Sequence, residues 1–321
     1  MKKCMETGDE SFKSVSRKRL EGMADAMFVL VTGANGQLGS DVLGLLKARG
    51  IPARGYDRPK LDITDVNGVE KLLAVENPTH VIHCAAYTAV DKAESERELC
   101  RHVNVDGTEN VARSCKNMNA VMLYLSTDYV FDGTGEKEWT EEDTPVPLNW
   151  YGQSKLNGEN AVKKHLERYF IVRTSWVFGS NGGNFVKTML RLGREKPEIS
   201  VVCDQVGSPT YTRDLAVVLV EMLYSQAYGT YHVTNSGFCS WYDFTREIFR
   251  LSGIPASVKP VTTEDYRAVG QSPAQALRPL NSRMSKKKLE ESGFPLPYSW
   301  EDALARFLLE IDELRAEGPL P

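Results

Sequence analysis

No stretch of this 321-residue chain approaches the uninterrupted apolar length that a membrane-crossing helix requires. Charge of one sign is not in excess either. The 39 Lys and Arg stand against 43 Asp and Glu, a formal net charge of −4, so no global basic field gathers nucleic acid. Cysteine is sparse: six residues, at 4, 84, 100, 115, 203 and 239, with no C-x-x-C pair. That scatter argues for separate thiols in an intracellular, cytoplasmic chain and against a disulfide framework or a zinc site. Internal repeats and low-complexity tracts are missing as well. What remains is an ordinary globular mixture, 41% hydrophobic and 26% charged, long enough for one large domain or two unequal ones.

Residues 1–26 mix both charge signs without an apolar core, which counts against a secretory signal and reads as a disordered extension, or as sequence upstream of a true start near Met27. From Met27 a rhythm sets in. The apolar run FVLVTG is followed by QLGSDVLGLLKARG at helical spacing, then PARGYD as a second strand. DITDVNGVEKLLAVENP follows as a helix capped by Thr64 or Asp65. HVIHCAA, AVMLYLS and YFIVRTSWVFG continue as strands, with RHVNVDGTENVARSCKNMN as a helix between the first two. Strands apolar throughout, alternating with helices, predict a doubly wound parallel α/β sheet covered on both faces, of Rossmann type. We expect a dinucleotide-binding domain over 27–180, with 198–234 returning to its sheet as the strand EISVVCD and the helix RDLAVVLVEMLYSQ. A smaller substrate-binding lobe is expected over 181–197 and 235–321.

Between the first strand and helix lies Gly33-Ala-Asn-Gly36-Gln-Leu-Gly39. Bare glycines permit the tight turn, close backbone approach to a pyrophosphate and close helix–strand packing, and the helix N-terminus offers free N–H groups to the phosphates. A glycine triplet alone is weak, but the strand–turn–helix setting is its confirming condition. Asp57 ends the second strand eighteen positions beyond Gly39, where an acid bonds a ribose 2′-hydroxyl; Arg58 beside it offers a cation to a 2′-phosphate. The pair points to NADH and NADPH alike, and the bland alternative is a solvated salt bridge in a turn. Asp62 and Ile63 are candidate adenine contacts, although Asp62 also suits a helix start.

Three residues then suggest chemistry. Tyr151 and Lys155 stand four apart on a helical segment and so share a face. An ammonium near a phenol is expected to lower the phenol's pKa and make it a usable general acid. Thr127 follows the fourth strand, where ligands of such sheets bind, and its hydroxyl suits a substrate carbonyl. By itself Tyr-x-x-x-Lys is usually a surface pair. Behind a glycine-rich cofactor loop and a Ser-Thr-Asp turn it reads as catalytic.

The segments GANGQLG, CAAYTAVDKAE, STDYVF, YGQSKLNGE, RTSWVF and RPLNSR resemble the extended short-chain dehydrogenase/reductase family, and within it the dTDP-4-dehydrorhamnose reductases. The first and fourth are shared with many epimerases and dehydratases; the others are more specific. The resemblance runs from about Met27 to the region of Trp300. It implies reduction of the 4-keto group of dTDP-4-dehydro-L-rhamnose by NADPH or NADH; the charge balance and the lack of long apolar runs leave no nucleic-acid or membrane partner expected. By position it implies Gly36, Gln37 and Leu38 along the pyrophosphate, Ala85, Ala86 and Tyr87 along the cofactor channel, and Lys155 on the nicotinamide ribose. Tyr151 supplies the proton, Trp176 packs on the sugar and Asn184 meets the nucleotide phosphates. Relatives include metal-dependent dimers; a homodimer stays open here, and no acidic ligands for a metal are matched. Two rivals are a sugar-nucleotide epimerase or dehydratase and a non-catalytic regulatory subunit like that of methionine adenosyltransferase. Asp128 is not followed by Glu, which counts against the dehydratase, and the intact Thr127, Tyr151 and Lys155 count against the regulatory subunit.

Overall fold

Alternation of side chains through the sheet explains why its strands read as apolar throughout. In the computed structural model, which describes residues 27–269 and 275–316, Val29 and Val31 face one apolar cluster while Leu30 between them faces another. Leu123 and Leu125 likewise oppose Met122 and Tyr124, and Phe170 and Val172 oppose Ile171. With both faces covered, neither offers a polar side to water. The strands are β1 (Val29–Thr32), β2 (Ala53–Tyr56), β3 (His80–His83), β4 (Val121–Thr127), β5 (Tyr169–Thr174) and β6 (Gly229–His232). They form one parallel sheet in the order β6-β5-β4-β3-β1-β2. The order reverses at β1, whose neighbours β2 and β3 lie on opposite sides, so a crevice opens at the carboxyl ends of β1 and β3.

The helices α1 (Gln37–Ala48), α2 (Val66–Glu76), α3 (Thr108–Asn117) and α4 (Trp150–His165) follow β1 to β4 in turn. Asp65 caps α2, its carboxylate accepting from the Asn67 N–H. The helix expected across 101–119 is regular only in its second half. His102–Gly107 is a π-helical turn, and it places Asn104 so that its carboxamide accepts from the Tyr87 N–H at 2.8 Å and donates to the Tyr87 carbonyl at 3.1 Å and Ser154 Oγ at 2.9 Å. Further on lie α5 (Phe185–Glu195), α6 (Thr212–Met222), α7 (Trp241–Leu251) and α8 (Trp300–Ala316). Ser240 and Asp243 form a reciprocal capping box at the start of α7. Among the described residues no helix is long and apolar enough to cross a membrane. The extension read over 1–26 lies outside the described residues.

Two expectations need correction. Glu198–Val202 does not return to the central sheet; it pairs in parallel with Ser257–Val261 in a separate two-stranded sheet, while α6 and β6 do return. An alternating segment specifies a strand but not its partner. The run YFIVRTSWVFG is also not one strand. β5 stops at Thr174, Trp176 adopts a left-handed φ of 49°, and Val177–Phe178 pairs instead with Thr210–Tyr211. A third apolar cluster gathers there, including Phe178, Val186, Met189, Phe244, Ile248, Leu304 and Phe307.

One buried ion pair ties β4, β5 and α4 together. Glu159 of α4, fully buried, accepts from Arg173 Nε at 2.9 Å, Arg173 Nη2 at 2.8 Å and Ser126 Oγ at 2.6 Å. Burial alone would raise this carboxyl; the Arg173 guanidinium outweighs it and holds the group below its ordinary value. Removing one partner leaves the other charge uncompensated in the interior. Glu159→Gln should therefore lose about 3–5 kcal/mol of stability in denaturant unfolding, and pairing it with Arg173→Met should recover much of the loss. A single-variant loss below about 1 kcal/mol would show that the pair does not hold these elements together.

Candidate active site

The turn after β1 is shaped by what a side chain would strike. Gly33 has φ +66°, and a Cβ on Gly39 would lie 2.2 Å from the Gly33 carbonyl oxygen. Gly36 stands at the N-cap of α1 with no side-chain cap, and the first turn holds no acid. The opening N–H groups and the positive end of the helix are thus left for an anion. They open on a cleft of ≈ 870 Å³. Gly33, Gly36, Gln37, Leu38, Gly39, Asp57, Arg58, Asp62, Ile63, Ala85, Ala86 and Tyr87 all line it, together with Thr127, Tyr151, Lys155 and Trp176.

At the β2 end, Asp57 and Arg58 do not form the turn salt bridge with each other. Asp57 Oδ2 accepts from the Asn35 amide, and its Oδ1 is buried without a hydrogen-bond partner. Arg58 is exposed and meets Asp62 at 3.7 Å, while Asp62 Oδ1 accepts from the Thr64 N–H and hydroxyl at 3.0 and 2.7 Å.

Tyr151 and Lys155 reach the cleft from α4, whose start is fixed by Asn149 Oδ1 accepting from the Gly152 N–H at 2.8 Å. Thr127 ends β4. Its hydroxyl donates to Asp128 Oδ1 at 3.0 Å and accepts from the Tyr129 N–H at 3.2 Å. Asp128 Oδ2 accepts from Ser282 Oγ at 2.5 Å. Burial pushes the Asp128 carboxyl up to about 6, against those hydrogen bonds. Lys155, buried, holds its ammonium 4.1 Å from the Tyr124 ring centroid. Burial pushes it down to about 7 although Glu159 pulls it upward. His83 beneath, bridging Thr32 Oγ1 at 2.7 Å and Thr108 Oγ1 at 3.2 Å, is pushed down to about 3 by burial and by Lys155, and so stays neutral.

These surroundings reverse one expectation. The Tyr151 phenol is not lowered by Lys155; burial first, then Asp128 and Tyr129, push it up, with the Thr127 hydroxyl opposing. Spacing along a helix shows which groups share a face, but not how dry that face is. The phenol is consequently kept in its protonated form, the form that gives up a proton.

A second cavity of ≈ 350 Å³ adjoins the first, and Tyr129 lines both. Phe185, Met189 and Trp241 form an apolar wall, with Arg267 and Arg278 as cations. Trp241 stacks on Trp176 at 3.6 Å between ring centroids, 12° from parallel. Asn184 is not among the residues that line either cavity. It caps α5, accepting from the Lys187 N–H at 3.0 Å. Asp128, Tyr129, Trp241 and Arg278 were missed as site residues from sequence. STDYVF and RPLNSR contain three of them, so a signal was there, whereas nothing near Trp241 announces its distant stacking partner.

Comparison with known proteins gives the family. The family described as the RmlD substrate binding domain matches residues 27–313. The spore coat polysaccharide biosynthesis protein SpsK of Bacillus subtilis is 40% identical over 282 residues, 88% of this chain and 97% of the relative. The dTDP-4-dehydrorhamnose reductase of Streptomyces griseus is 40% identical over 299 residues, 91% of this chain and 96% of the relative. Among solved structures, a dTDP-4-dehydrorhamnose reductase from Bacillus anthracis in complex with NADP superposes with a TM-score of 0.84 at 44% identity, covering 88% of this chain and 99% of that one. The family match and these relatives span nearly the whole described chain, which belongs to the RmlD substrate binding domain family, that of the dTDP-4-dehydrorhamnose reductases.

Proposed function

We propose that the protein reduces the 4-keto group of dTDP-4-dehydro-L-rhamnose to dTDP-L-rhamnose with NADPH or NADH, supplying a nucleotide sugar for cell-surface polysaccharide. The observation that carries this reading is that the phosphate-binding turn and the Thr127, Tyr151 and Lys155 side chains open on one cleft. The dinucleotide fits this cleft: the uncapped first turn of α1 suits the pyrophosphate, and the unpartnered Asp57 Oδ1 suits a ribose hydroxyl. The adjoining cavity, with an aromatic wall and two arginines, suits a thymidine diphosphate. The proposed division is a dinucleotide-binding domain over 27–180 with a smaller substrate lobe completed by 235–321. The enzyme is proposed to act in the cytoplasm, on a small molecule and not on nucleic acid or membrane.

When bound, the reduced nicotinamide supplies the hydride. Tyr151 gives its phenolic proton to the oxygen that becomes the alcohol. The Thr127 hydroxyl, which donates to Asp128, turns its one hydrogen bond to the substrate oxygen, while Ser282 continues to donate to Asp128. Lys155, in its ammonium form, stabilises the phenolate left on Tyr151, a charge arrangement set before reaction by the packing of α4. Trp176, backed by the stacked indole of Trp241, gives the cleft an apolar surface against which the sugar packs.

Tyr151→Phe should lower turnover by about 10²- to 10⁴-fold while leaving NADPH binding within reach of wild type. NADPH oxidation followed by absorbance with freshly generated dTDP-4-dehydro-L-rhamnose measures the first, and calorimetry the second. Turnover near wild type would sink the assignment. Lys155 yields a second prediction, of opposite sign for stability. Its folded pKa of about 7 lies below the ordinary 10.5, so stability present above the ordinary value is lost as pH falls toward 7. Lys155→Met should therefore be more stable than wild type at pH 7, by roughly 2–4 kcal/mol, with little activity. That gain should shrink as pH approaches 10.5, and a pH-independent difference in thermal unfolding would contradict it.

A further inference from the structure

Asn184 links a residue of one cavity's wall to the helix that carries the other's. Gln37 lines the cofactor cleft, and Phe185 and Met189 wall the second cavity. Between them, the Asn184 amide nitrogen donates to Gln37 Oε1 at 3.0 Å and to the Gly179 carbonyl at 2.8 Å. Its oxygen accepts from the Lys187 N–H at 3.0 Å, capping the helix that begins with Phe185. Both amide hydrogens and the carbonyl are thereby in use, so the side chain cannot shift toward one cavity without loosening its hold at the other. A second tie runs alongside, from the Asn181 amide to Ser40 Oγ of α1 at 2.5 Å. Gly182 and Gly183, between the two asparagines, complete the wall of the cofactor cleft.

We infer that Asn184 is a positioning residue that couples the two cavities, through Gln37 on the cofactor side and the first turn of α5 on the nucleotide side. The inference rests on the reading of those cavities as cofactor and nucleotide sites. A dinucleotide that orders the turn carrying Gln37 also fixes the Asn184 amide, and the same amide sets the helix bearing Phe185 and Met189. Part of the ordering cost at the second cavity is then met before its ligand arrives, which makes the two bindings cooperative and, by linkage, reciprocal.

The test is the dissociation constant of thymidine diphosphate on the full chain, measured calorimetrically with and without saturating NADP⁺. Wild type should bind on the order of five- to tenfold more tightly with NADP⁺ present. Asn184→Ser keeps a good helix cap but is too short to reach Gln37. Its affinity ratio should fall to within about twofold of one. Gln37→Met breaks the same bond from the other end and, at NADP⁺ concentrations shown calorimetrically to saturate that variant, should lose the ratio equally, which guards against a folding defect in either variant. A ratio of one in wild type, or a wild-type ratio surviving in both variants, would overturn the coupling while leaving the reductase reading in place. Wild type binding neither ligand would overturn that reading, and the coupling with it.

Discussion

The helix that delivers Tyr151 and Lys155 does not sit on its sheet through aliphatic packing. Its buried positions are Gly152, Ser154, Lys155, Gly158, Glu159, Ala161 and Val162, mostly small or polar. A face of that kind gains little from the hydrophobic effect, and its seat depends on the Glu159–Arg173 pair with Ser126 as the third partner. Because Glu159 stands one turn beyond Lys155, the interaction that fixes the helix also fixes the depth of the ammonium. It supplies the main opposing charge as well, which keeps the Lys155 pKa from falling further. Structure and electrostatics at the site share one carboxylate.

Around that anchor the site is dry and crowded with titratable groups. Asp128 and Lys155 are each displaced toward neutrality by burial, and His83 is held neutral between two threonine hydroxyls. Such groups cost stability and return none of it unless their protonation is used. Burial moves Asp128 up to about 6 and Lys155 down to about 7, so both groups stand close to exchanging a proton near neutral pH. The second cavity differs, with exposed or partly exposed arginines beside an aromatic wall, suited to a ligand that keeps its charge.

Much of this was legible in the residue order because it is local. The glycine turn, its flanking strand and helix, and the Tyr-x-x-x-Lys spacing lie within short windows where backbone geometry fixes neighbours. All of the expected cofactor positions line one cleft. What escaped depends on contacts between distant segments or on burial. Trp176 and Trp241 stack across more than sixty residues, and Ser282 reaches Asp128 from near the other end of the chain. Asn184 directly precedes Phe185 of the second cavity's wall, yet its polar atoms are spent on Gln37, Gly179 and Lys187. The direction of the Tyr151 shift was misjudged for a related reason: sequence spacing gives proximity to Lys155 but not the desolvation that outweighs it.

The π-helical turn at His102–Gly107 gives the fold a built-in phase shift. An α-helix turns about 100° per residue, so one extra residue absorbed in a bulge rotates everything before it relative to everything after. Asn104 sits within that offset, with its amide in register with both Tyr87 and Ser154, while α3 beyond it keeps its apolar stripe of Val111, Ala112 and Cys115 on the sheet. A chain shortened by one residue here would have to give up one alignment or the other. The bulge therefore behaves as a counted element, tolerant of substitution in its exposed side chains but not of a change in length.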